Sequence, residues 1–115
     1  MNDPVLTAHG LSRWVWMPGQ RYLLDGQAHR LADGEQAPAG AVPDLSDPVT
    51  AACLVQAVRR AWDWGDAHAA PRYADHTLES RRWVVVVCDG HTGDGHRFVN
   101  VSEVGALVAA LEAAP

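Results

Sequence analysis

In RRWVVVVCDGHTGDGHRFVNVS, residues 81–102, two strands, a turn and a helix cap follow one another without a break. Arg81 to Cys88 reads as a strand. Its Trp83-Val84-Val85-Val86-Val87 run is apolar on both faces, the pattern of a central, covered strand rather than an edge. His96 to Val101 reads as the next strand, returning antiparallel through the glycine-rich centre. Ser102 can cap a closing helix in which Val104, Leu107, Val108 and Leu111 form one apolar stripe.

Upstream, a second helix is marked by Asp47 as cap, Pro48 in its first turn and Gly65 just beyond its end. Ala51, Leu54, Val55, Val58, Ala61 and Trp62 share one face of it. Gln56, Arg59, Arg60 and Asp63 lie largely on the other. The first third reads as a meander. Arg13-Trp14-Val15-Trp16-Met17 is β-prone and ends at the Pro18-Gly19 turn; Arg21 to Leu24 and Gln27 to Leu31 flank Asp25-Gly26, a strong hairpin signal. Residues 32–46 and 65–80 read as connectors. The order expected is β-β-β-α-β-β-α: a single α+β domain over residues 1–115, with an antiparallel sheet of about five strands and both helices on one face.

At 115 residues, 48% hydrophobic and 20% charged, the chain can bury a core. Its formal charge of −5 argues against a surface built for nucleic-acid phosphates. Met1-Asn2-Asp3-Pro4 is not a charged n-region and no apolar stretch follows it, so no secretory signal is expected, and the Trp83–Cys88 run falls far short of the ~20 residues of a membrane span. A cytoplasmic protein with no membrane partner is expected, with Cys53 and Cys88 as reduced core residues. All nine basic residues are arginine, and there is no lysine or isoleucine, as in products of GC-rich genomes.

The stretch Asp44-Leu45-Ser46-Asp47-Pro48-Val49-Thr50-Ala51-Ala52-Cys53-Leu54, with Val58-Arg59-Arg60-Ala61-Trp62 and the ending Glu103 to Glu112, resembles small proteins encoded by phages and prophages of GC-rich bacteria. The resemblance covers under half of the chain, and no functional residue carries over from it. It implies a setting, that of an accessory protein of a mobile element. Such proteins frequently bind a host protein, as anti-CRISPR proteins do.

Little in the chain looks like catalysis. Asp89, His91, Asp94 and His96 offer two imidazoles and two carboxylates to a divalent metal; Asp66, His68, Asp75 and His76 are further candidates. A solvated hairpin accounts for the same residues, with His91 and His96 at the two ends of a Thr92–Gly95 turn. Gly90, Gly93 and Gly95 could form an anion nest, but Asp89 and Asp94 would repel the anion. Cys88 precedes His91 by three residues, yet it ends a valine run where burial raises a thiol pKa. No nucleophile elbow is present.

The tryptophans are the other clue. Trp14 and Trp16 share one face of the expected first strand, with Val15 and Met17 on the other. Trp64 sits at a helix end. Exposed Trp and Arg dominate binding hot spots, so Trp14, Trp16, Trp64, Arg59 and Arg60 are the candidate partner-binding residues. Arg59, Arg60, Arg81 and Arg82 could form a basic patch or pair with Asp63, Asp66 and Glu79. The reading that follows is a non-enzymatic protein that binds a host or phage protein, in its most concrete form an inhibitor of a host defence complex. A homodimer through the sheet edge or the Trp14/Trp16 face is compatible with it. The alternatives are a metal-binding module or metal-dependent enzyme centred on residues 89–96, and a structural phage component.

Overall fold

The computed structural model describes residues 6–62, 74–79, 81–88 and 95–114. In chain order the elements are α1 (Ala8–Ser12), β1 (Arg21–Leu24), β2 (Gln27–Arg30), β3 (Val42–Pro43), α2 (Pro48–Ala61), β4 (Ala74–Glu79), β5 (Arg82–Cys88), β6 (Gly95–Asn100) and α3 (Glu103–Glu112). The fold is α+β with antiparallel strands, as expected. The strands, however, divide into two three-stranded sheets, ordered β2-β1-β3 and β4-β5-β6, rather than lying in one.

In the second sheet β5 is central, pairing Val85 with His76 and with Phe98. Helices α2 and α3 pack on one another; α3 lies along β5 and β6, and α2 reaches β4. The main core forms between them. Leu54, Val58, Val85, Val87, Leu107 and Leu111 are all but sealed from solvent. Each such side chain contributes about 1.5–3 kcal/mol on burial. Val84, Val85 and Val87 are buried, whereas Val86 and, on β6 opposite Val84, Val99 remain exposed. That face of β5 is therefore only partly covered. Residues 74–79, expected within a connector, form β4; ADHTLE carries no apolar alternation to announce a strand.

The helix caps form where the side-chain chemistry predicts. Ser102 Oγ accepts the Gly105 N–H at 2.9 Å, and Asp47 accepts the Thr50 N–H at 3.1 Å with Pro48 behind it. Helix α2 ends at Ala61 with Trp62 as its C-cap; Gly65, the expected stop, lies outside the described residues.

The first sheet is small. Asp25 and Gly26 both have positive φ, 52° and 78°, as a type I′ hairpin turn demands, and they join β1 to β2. The Pro18-Gly19 turn also forms, with Gln20 N–H donating to Met17 O at 3.2 Å. The third strand is the pair Val42–Pro43, inside the expected 32–46 loop. Pro43 offers no N–H, which suits it to this edge position.

The expected first strand is absent. Residues 8–12 form α1, and 14–17 carry no regular secondary structure and join no ladder. Buried Gln20, 1% exposed, does what a neighbouring strand would do: its Nε2 donates to Val15 O and its Oε1 accepts from Trp14 Nε1, both at 3.2 Å. A single side chain thus holds a segment whose two-residue alternation imitates a strand.

Candidate partner-binding groove

The segment at 14–17 alternates in burial, with the faces reversed from what a hot-spot reading needs. Trp14 is 7% exposed and belongs to the main core. Trp16 is half-buried, and its ring meets Trp14 and Tyr22 edge-on, each at 6.2 Å. It therefore bridges the main core and the small Tyr22–Leu31–Ala41 cluster. Trp14 is corrected from a contact residue to an anchor, because its indole N–H finds its partner inside, at Gln20. Val15 and Met17, 41% and 47% exposed, point outward instead.

Beside them runs α2. Val15, Met17, Ala52, Cys53, Gln56, Ala57 and Arg60 line a half-open, largely apolar groove of about 280 Å³. Its floor is low because Ala52, Cys53 and Ala57 are short, and they recur at helical spacing beside the buried stripe. Cys53 is a free thiol whose Sγ donates to Val49 O at 3.5 Å. Of the expected contact residues, Arg60 alone among the described ones lines this groove. Arg59 is half-buried on the adjacent face, and Trp64 lies outside the described residues. Val15 and Met17 were legible as the second face of the 14–17 segment, and the small residues of α2 as a gap between its core stripe and its charged face.

The strand pairing beside the histidine-rich stretch differs from the one expected. Cys88 pairs with Gly95 and Val87 with His96, so Val87, not His91, lies opposite His96. The His96 ring packs against Trp62, centroids 5.1 Å apart, on the helix-covered face. Asp89, His91 and Asp94 lie outside the described residues, as do Asp63, Asp66, His68 and the side chains of Asp75, His76, Glu79 and Cys88. Among the described residues no three His, Cys, Asp or Glu side chains gather as a metal site. Arg81 and Arg82 are exposed where β4 turns into β5.

Ionic chemistry concentrates at the start of α2. Arg30 grips Asp47 through two hydrogen bonds of 2.9 and 3.1 Å, and Arg21 Nε donates to Asp44 at 2.6 Å. Thr50 Oγ1 donates to Asp47 at 2.8 Å and accepts the Arg21 N–H at 2.6 Å. The Arg30 bonds, helped by Thr50, hold the Asp47 carboxyl down at about 2. Burial pushes Asp44 up, but hydrogen bonds from Ser46 and Arg21 outweigh it and leave that carboxyl below its usual range. Every one of these groups is matched within the fold, so the network joins the first sheet to α2. Among the described residues, no helix is long and apolar enough to cross a membrane. No protein-family model, curated protein or solved structure matches the chain.

Proposed function

We propose that the chain is a non-enzymatic binding protein of a phage or other mobile element, acting in the bacterial cytoplasm by occluding a partner protein. Its most concrete form is an inhibitor of a host defence complex of the anti-CRISPR kind. The observation that supports binding is the groove between Val15, Met17 and α2. It offers solvent an apolar floor, a methionine wall and an arginine, the last two being residue types enriched in protein interfaces. Trp14 and Trp16 hold that wall rigidly from behind, which lowers the ordering cost of binding. The mobile-element setting rests on the sequence resemblance.

The test is plaquing efficiency in bacteria whose CRISPR–Cas complexes restrict a phage. Expression of the protein is expected to raise plaquing strongly against one system in a panel, and Met17→Glu to abolish the gain while leaving the circular dichroism spectrum unchanged. Plaquing that stays flat across the panel removes the inhibitor reading. A gain equally strong in Met17→Glu removes the groove from it.

A further inference from the structure

Arg60 differs from the two arginines of the first sheet. Arg21 and Arg30 each grip an aspartate. Arg60 is exposed in the last turn of α2, at the groove, and its guanidinium has no hydrogen bond or ion pair among the described residues. Gln56, one turn earlier and also exposed, adds an amide donor on the same side. The rest of the lining is apolar.

Size narrows the occupant. At about 280 Å³ the groove is at the small end of ligand-site sizes (~300–1,000 Å³), and it is half open to solvent. It suits one or two side chains of a polypeptide. Met17, unbranched and polarizable, can adapt to the side chain that enters. Charge narrows it again. The Arg60 fork matches a carboxylate in a bidentate geometry. With a net charge of −5, the protein repels a long acidic tract, so a single carboxylate is the better match.

We infer that the groove takes a partner segment in which a bulky apolar side chain is followed directly by a carboxylate, the apolar group seated over Ala52, Cys53 and Ala57 and the carboxylate held by Arg60 and Gln56. This inference rests on the binding role proposed above and supplies the chemistry of its partner.

The test uses blocked peptides on the full chain, acetyl-Gly-Leu-Glu-Gly-amide with Gln or Lys in place of Glu, followed by amide chemical shifts. The Leu-Glu peptide is expected to move the resonances of Val15, Ala52, Cys53, Gln56 and Ala57 saturably, and to bind about tenfold more tightly than the Leu-Gln peptide. In Arg60→Glu, whose dispersed spectrum reports the intact fold, the order is expected to invert in favour of Leu-Lys. Absent binding, shifts outside the groove, equal binding of Glu and Gln peptides, or an unchanged order in Arg60→Glu would each overturn the inference. The two proposals fail separately. Leu-Glu binding without any plaquing effect removes the inhibitor role alone. Plaquing retained in Arg60→Glu, with the peptides silent, removes the inference alone.

Discussion

Arg30 of the edge strand β2 clasps Asp47, the N-cap of α2, through both oxygens of its carboxylate. The cap therefore serves two elements at once. One oxygen also accepts the Thr50 amide and hydroxyl, while the pair as a whole fixes the first sheet to the helix.

That arrangement gives acid stability a specific shape. An unfolded aspartate titrates near ~3.9, whereas folded Asp47 titrates at about 2. Because the folded value is the lower, the stabilisation is complete above pH ~4 and is lost as pH falls towards 2. Urea midpoints across pH 2–6 are expected to fall along this limb. Arg30→Gln should flatten it by returning Asp47 towards its unfolded value. Parallel limbs in the two proteins would show that Arg30 does not hold the carboxylate.

Core and outer sheet face should respond differently to truncation. Leu54→Ala empties a fully buried site between α2 and α3 and is expected to cost about 2–5 kcal/mol in urea unfolding. Val99→Ala, on the exposed face of β6, should stay within about 0.5 kcal/mol. Comparable losses at both sites would place Val99 under cover that the fold does not provide.

Trp62 ties helix to helix, since its Nε1 donates to Ala110 O at 2.9 Å. Trp62→Phe keeps an aromatic ring at the site but, besides its smaller volume, leaves that buried carbonyl without its donor, at an expected cost of about 1–3 kcal/mol for the lost hydrogen bond. His96→Ala, which removes the ring packed on Trp62, should also lower the melting temperature. It should do so equally in chelator-treated and untreated protein, as expected of a packing role. A loss confined to untreated protein would indicate a metal at His96.

Alanine normally strengthens a helix over glycine by about 1 kcal/mol. At position 105 the reverse is expected. A Cβ there would stand 2.6 Å from Asn100 Oδ1, the atom that accepts the Ser102 N–H. Gly105→Ala must displace that side chain at the entry to α3, and a lower melting temperature is the outcome to look for. A rise would mean that Asn100 moves freely.

What the sequence made legible was local chemistry. Asp47 and Ser102 announce their helices because a cap is a property of a few adjacent residues, and Asp25-Gly26 announces a hairpin for the same reason. The hairpin from β5 to β6 is legible from the valine run and the glycines after it. The division into two sheets is not, because it depends on distant partners: Arg21 with Asp44, Arg30 with Asp47, and β3 contributed by two residues inside a polar loop. At 14–17 the two-residue period suggests a strand that does not form; only the alternation in burial is real. Its reversed faces follow from Gln20, a polar residue whose burial no pattern of hydrophobicity reveals. Of the groove, Arg60 was visible as an exposed cation, but the depression beside it exists only once that segment lies against α2.

The alternation at 14–17 separates two kinds of inheritance. Trp14 and Trp16 face the interior and answer to folding; Val15 and Met17 face outward and answer to whatever meets the surface. Substitutions at 15, 17 and 60 can accumulate without disturbing the frame that carries them. A protein so divided can change the outward side of this segment through side-chain drift alone, keeping one scaffold beneath it.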